Sequence, residues 1–482
     1  MKWDDLFAIL PLVVISTWSV ILVLVDIAIP RDRKGITAAL AALGLIIALY
    51  FTLPQFNRHL VAFNGMVIVD GFGAFLNTLF LGSGLLGIAL AYGYLKRNKI
   101  DRSEYYTLML FSISGMMLMG IAADLIVVFL ALELLSIPLY VLAGFARPRL
   151  DSEEAALKYF ILGAFSGGFV VYGVALVFGA TGSTAIVEII QAVLAGKAAL
   201  VLLTVGAALI LVGFGFKVAA VPFHMWTPDV YQGSPSPVTS FMAVGAKAAG
   251  FAALLRIFML AFPYLSVTLV PILWLISALT MIVGNIVAIA QNNIKRMLAY
   301  SSIAHAGYIL MAVVTFGKDG AAADAVSGAL FYLLSYALTN FGAWSVVIAL
   351  EKSEGRGLLL QDYAGLGKKY PAWAAAMTVF MLSFTGVPPT LGFLGKFYLF
   401  RSVLEGGFVG LAIIAVLTSL VSAYYYLRVV VIMYMQDGEP QVDSDIWLKV
   451  AAGATAVMVV VLSLFASPLL QWAAQATLQS GL

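Results

Sequence analysis

Apolar runs of about 18–25 residues recur along this chain almost without pause, each long enough to cross a hydrocarbon core about 30 Å thick. They fall at 6–29, 36–53, 70–95, 105–122, 124–145, 155–179, 198–227, 237–262, 266–291, 296–316, 325–350, 373–400, 408–435 and 446–472. Backbone polar groups must be satisfied inside such segments, which makes them helices. The expectation is an all-α polytopic membrane protein of about 14 transmembrane helices, a single transmembrane domain over residues 1–482. Composition agrees, with 11% charged residues against roughly a quarter in soluble domains, and a mean hydropathy of +1.02. The polar stretches at 352–371 and 436–445 are too short to fold as extramembrane domains.

A net charge of +3 spread over many loops argues against a nucleic-acid surface. The absence of cysteine excludes disulfides, iron–sulfur clusters and thiolate metal sites. Three histidines, His59, His224 and His305, remain as conceivable metal or haem ligands. A b-type haem needs two facing histidines, and His224 with His305 is weak support for one, so no cofactor or metal is expected in this chain. The first run lacks a small-residue cleavage site and is read as an uncleaved span. Basic residues gather in alternate loops, at Arg31/Arg33/Lys34, Lys96/Arg97/Lys99/Arg102, Arg147/Arg149, Lys295/Arg296, Lys352/Arg356/Lys368/Lys369 and Arg428/Lys449. The other side holds only Lys2, Arg58, Lys197, Lys318 and Arg401, which puts both termini outside.

Lys217 and Lys247 lie deep within 198–260, where a charge costs at least about 2.5–3.5 kcal/mol. Pro222 interrupts the seventh run and is expected to free the carbonyl of Val218. Lys217, the break and His224 together read as a hydrated polar site; the bland alternative is a kink beside a snorkelling lysine. Pro388 and Pro389 break the twelfth run in the same way, with Lys396 beyond them, and should expose the carbonyls of Phe384 and Thr385. Breaks five spans apart lie in helices of opposite direction. Helices 4–8 (about 105–262) and 9–13 (about 266–435) are therefore expected to form two inverted five-helix repeats, each with a broken helix.

Glu133 sits near the centre of the fifth run with no charged neighbour in its helix. An isolated carboxylate there would protonate, whereas a lysine about 4 Å away contributes about 4 kcal/mol at an effective dielectric of 20 and ties the two protons together. Lys217 and Lys158 are the candidates, although Lys158 could merely pair with Glu154 at i,i+4. The small residues around Lys247 allow either close packing or water. Ser301, His305 and Tyr308 share one helical face, and Tyr332, Ser335/Tyr336 and Thr339/Asn340 form another polar stripe. Such stripes are as often inter-helix hydrogen bonds as the walls of a water-filled path.

Three tracts, FKVAAVPFHMWTPDVYQGSPSPVTSF, KRMLAYSSIAHAGY and LSFTGVPPTLGFLGKF, resemble the antiporter-like membrane subunits of respiratory complex I, NADH:quinone oxidoreductase. The likeness covers nearly the whole chain. The tract MWTPDVYQGSPSPVT, Lys396 where a sibling subunit has glutamate, and the end of the chain soon after the fourteenth span set it apart from two siblings. The same tract sets it apart from the multisubunit Na⁺/H⁺ antiporters, which remain the alternative. The resemblance implies a 14-helix fold with inverted repeats, no redox centre in this chain, and assembly with other membrane-arm subunits in the inner membrane. It also implies proton translocation coupled to quinone reduction elsewhere in the complex. It assigns Glu133 and Lys217 as a coupled pair, Lys158 as an accessory, Lys247 as the central relay and Lys396 as the relay toward the exit. His224 and His305 fall at polar-axis positions.

Overall fold

The computed structural model describes residues 3–30, 33–56, 58–318, 320–352, 356–476 and 478. Lys2 and Arg31, two of the residues that bear on orientation, lie outside them.

The described chain is almost entirely helical. The spans are α1 (Trp3–Ala28), α2 (Gly35–Thr52), α3 (Gly71–Arg97), α4 (Glu104–Ile121), α5 (Leu125–Ala143), α6 (Leu150–Thr181), α7 (Leu200–Val218, resumed at Trp226–Gly233) and α8 (Ser236–Ala261). They continue as α9 (Ser266–Ile289), α10 (Ile294–Val314), α11 (Ala321–Leu350), α12 (Pro371–Thr385, resumed at Leu391–Glu405), α13 (Val409–Met435) and α14 (Ile446–Leu464). Among the described residues, thirteen of these elements are long and apolar enough to cross a membrane; α12 falls short because it is cut in two. Sequence periodicity held no hint of the antiparallel hairpin β1 (Leu60–Ala62) and β2 (Val67–Val69), paired Leu60 to Val69, between α2 and α3. Its strands are three residues each, too short to stand out from a loop.

Both breaks arise where they were expected, but by a different device. α7 stops at Val218, before Pro222 could interrupt its ladder, and closes with Ala219 in the left-handed conformation at φ 64°. The amides of Ala219 and Ala220 turn back to the carbonyls of Phe216 and Gly215. α12 closes in the same way: Gly386 at φ 88° donates to Ser383, and Val387 to Leu382. In each case this two-bond cap satisfies carbonyls that would otherwise be orphaned in the membrane. The prolines then forbid the helix from continuing.

Neighbouring spans pack as antiparallel pairs, α6 on α7, α9 on α10 and α4 on α5. In the first pair Gly173 and Gly206 face each other so closely that a methyl on either would fall within 3 Å of the other's carbonyl oxygen. Most enclosed are α8, α10 and α11, with 89%, 94% and 94% of their central residues buried, against 28% for α1 and α14. The helices carrying Lys247 and His305 are therefore the core of the bundle.

Candidate functional site

Four buried cationic or imidazole side chains follow one another through this core. Lys217, at the end of the first half of α7, is 4% exposed and donates to Ser136 Oγ at 2.7 Å and to the Tyr159 hydroxyl at 3.2 Å. Tyr159 is fixed from behind by stacking on Trp226, 4.7 Å between ring centres, and the Trp226 indole caps the carbonyl of Phe216 at 2.9 Å. The stem of Lys217 lies against Gly250, one helical turn past Lys247, where a Cβ would come within 3.4 Å of its Cγ. A small residue at 250 thus brings the two lysine-bearing helices together.

Lys247 is 2% exposed and follows directly on a π-helical turn at Met242–Ala246. Such turns are rare and cluster at functional positions, because they rotate the residues that follow. Its ammonium donates to the carbonyl and the hydroxyl of Ser302, at 2.5 and 2.6 Å. The hydroxyls of Tyr231 and Tyr336 approach the same serine. One turn along α10, His305 places Nδ1 2.6 Å from the Tyr332 hydroxyl and Nε2 3.0 Å from that of Tyr426, which in turn bonds Ser301. A neutral imidazole between two hydroxyls accepts at one nitrogen and donates at the other, the arrangement needed to pass a proton through the ring.

Beyond the histidine, the ring of Tyr308 lies 5.0 Å from the Lys396 ammonium. Lys396 is 4% exposed and donates to the carbonyls of Phe384 and Thr385, at 2.8 and 3.0 Å, and to Ser419 at 2.8 Å. These two carbonyls end the first half of α12, so the lysine serves the helix break directly. Ser301, Ser302, His305 and Tyr308 form one continuous polar face of α10, and it runs from Lys247 to Lys396.

Three other candidates are placed differently. Glu133 is half-buried one turn before Ser136, its Oε1 close against Gly167 of α6. It makes no ion pair with Lys217 among the described residues, where Ser136 and Tyr159 hold the ammonium; the two charges remain within electrostatic reach. Lys158 points away from the axis and binds Glu154 at 2.7 Å and Asp229 at 2.8 Å, with Arg296 on the other oxygen of Asp229. His224 is half-buried in the turn after the α7 break, and its Nδ1 has no partner among the described residues. No hydrogen bond or ring contact joins it to His305 there.

Several members escaped sequence reasoning. Ser302, the partner of Lys247, and Ser419 and Tyr426 of α13 are common residues whose value comes only from what faces them. The Arg256–Asp70 pair was detectable. It is fully buried, bidentate at 2.9 and 3.0 Å, and Arg256 also holds the carbonyl of Gly120 at 2.9 Å. An arginine nine residues past Lys247 in the same apolar run breaks the same rule that flagged the lysine.

A membrane bundle with two interrupted helices and a buried lysine–histidine axis is a protein of the antiporter-like class. Residues 122–422 match the family described as NADH:quinone oxidoreductase/Mrp antiporter, TM, and the chain belongs to that family. Over its length it is similar to the NADH-quinone oxidoreductase subunit N of Trichlorobacter lovleyi, 46% identical over 480 residues that cover 98% of this chain and 97% of that one. The subunit N of Chloroflexus aggregans is 46% identical over 470 residues, covering 96% and 95%. Among solved structures, respiratory complex I from Thermus thermophilus contains a chain 37% identical with a TM-score of 0.83, covering 96% of this chain and 99% of that one. A chain of the Mrp complex from Dietzia shares the fold, with a TM-score of 0.85 at 20% identity over 99% and 97% of the two chains.

Proposed function

We propose that this chain is the proton-translocating subunit N of the membrane arm of NADH:quinone oxidoreductase, moving protons along the Lys217–Lys247–His305–Lys396 axis. The observation that carries the reading is the unbroken polar face of α10, which links two buried lysines through serine, histidine and tyrosine. Each lysine is hydrogen-bonded by neutral oxygen acceptors and not by a carboxylate, so losing its proton strands no directly paired counter-charge. Quinone reduction elsewhere in the complex alters the electrostatic coupling of Glu133 and Lys217, and the charge change then passes along the axis. This chain contributes no redox cofactor, and Lys158 tunes the field from the rim. Both termini face the outside of the cell inner membrane. The full-length relatives favour the complex I reading over that of an antiporter subunit. Affinity purification of the tagged chain tests it: NADH:quinone oxidoreductase activity should copurify, and cation/proton antiporter subunits without that activity would overturn it.

A further inference from the structure

A second buried ionisable cluster, separate from the axis, closes its basic side. Glu351 ends α11 with 1% exposure, and among the described residues it forms no ion pair. Its oxygens accept instead from the Tyr94 hydroxyl of α3 at 3.1 Å and from the Ser236 hydroxyl that begins α8. Lys295, 1% exposed at the start of α10, donates to the Ser234 carbonyl at 2.6 Å. Arg149, Asp151, Asp362 and Tyr363 supply the other charges and titratable groups around it. The buried hydroxyls of Ser234 and Tyr363 have no partner among the described residues.

We infer that Glu351 is a proton-loading group, collecting protons from the cytoplasmic side and delivering them to Lys247. The inference rests on the function proposed above. Hydroxyls can reverse their roles: Tyr94 and Ser236 both donate to an ionised carboxylate, and one of them accepts from a protonated one while the other still donates, so both forms of Glu351 find hydrogen bonds in place. Outward, a polar cavity of about 290 Å³ lined by Lys352, Gln361 and Gln441 reaches the two chain neighbours of Glu351, Leu350 and Lys352. Inward, two facing helices carry polar groups one turn apart. Ser240 follows Ser236 on α8, and its carbonyl accepts from Asn340 on α11 at 3.4 Å. Tyr336 precedes Asn340 by one turn and approaches Ser302, which holds Lys247. Gaps of one turn, about 5–6 Å, are of the size that one bridging water closes. In the transfer, the Glu351 carboxyl loses a proton to become a carboxylate while a neutral Lys247 amine gains one. No other reactant is needed.

The test uses the whole complex in inside-out membrane vesicles, comparing wild type, Glu351→Gln and Lys247→Ala. Glutamine keeps the volume, accepts from one hydroxyl at its carbonyl oxygen and donates its amide N–H to the other, but cannot carry a proton. Glu351→Gln should assemble normally, pump several-fold more slowly and lose the dependence of its rate on cytoplasmic-side pH; Glu351→Asp should recover part of both. A structural role for the carboxyl would leave the pH profile unmoved. If Glu351→Gln pumps with wild-type rate and profile while Lys247→Ala is inactive, the loading role is wrong and the axis stands. If neither variant affects pumping, the functional reading itself fails. Should Glu351→Gln not assemble, Ser236→Ala decides: a several-fold loss supports the route, and wild-type pumping overturns it.

Discussion

The Lys396 ammonium donates to the carbonyl of Phe384 at 2.8 Å and thereby plugs the end of a helix that stops in mid-membrane. The same atom binds Thr385 and Ser419, so a residue of the proposed proton axis is also a structural cap. This dual duty separates Lys396 from Lys247, whose single hydrogen-bonded anchor among the described residues is Ser302.

Lys396→Met should therefore damage stability as well as pumping. Leaving the buried carbonyl of Phe384 without its donor costs on the order of 1–3 kcal/mol, while that of Thr385 keeps the Ser419 hydroxyl at 3.2 Å. Less intact complex should survive a heat challenge than in Lys247→Met, measured by native electrophoresis. Equal survival of the two variants would remove the capping role.

At the other break, Ala219 holds a left-handed conformation that costs an alanine roughly 1–2 kcal/mol. Glycine adopts it freely but loses up to about 1 kcal/mol through its more flexible unfolded chain. Ala219→Gly should raise the thermal midpoint of the complex slightly with pumping unchanged. A clear drop in the midpoint would show that the methyl packs in a way that outweighs the strain.

Orientation is testable by itself. The proposed orientation has both termini outside, so a C-terminal reporter that fluoresces only in the cytoplasm should stay dark, and one active only outside should work. The reverse pattern would invert the direction assigned to every element of the axis.

Glu133→Gln should slow or uncouple the complex while assembly stays intact, since the amide keeps the volume and removes the charge that acts on Lys217. That charge acts through space, because Ser136 and Tyr159 hold the lysine. A fall of several-fold, short of complete inactivity, is the expected size. Wild-type proton pumping in this variant would exclude electrostatic coupling between the two.

What could be read from the sequence was what the membrane forbids. Lys217, Lys247 and Lys396 stood out because a charge at bilayer depth is costly, and Pro222 and Pro388 because they cannot continue a helix. Serines, threonines and tyrosines carry little such penalty, so Ser302, Ser419 and Tyr426 became visible only when packing set them against a lysine or histidine. Glu351 and Lys295 were hidden for the opposite reason. They lie at helix ends, where charged residues are ordinary, and only the convergence of α3, α8, α10 and α11 buries them. The Schellman caps at Ala219 and Gly386 were obscured by the prolines just beyond, which account for a broken helix by a missing donor alone, whereas each helix has already ended in a left-handed residue before its proline.

Lys247 carries the sharpest test of the proton axis, because the competing role for a buried lysine is a fixed positive charge that sets the field for its neighbours. Arginine preserves that charge but stays protonated under essentially all conditions in proteins, whereas lysine can lose and regain its proton when buried. The site also favours a compact donor: the ammonium reaches the carbonyl and hydroxyl of one serine from a position that is only 2% exposed. Lys247→Arg is bulkier, so the amount of intact complex in the membrane must be compared first. Given assembly, NADH-driven proton pumping in Lys247→Arg should fall as far as in Lys247→Ala. A relay that must release its proton is blocked by both substitutions, while a field-setting charge is lost only in alanine. Wild-type pumping by an assembled arginine variant would end the relay role of Lys247.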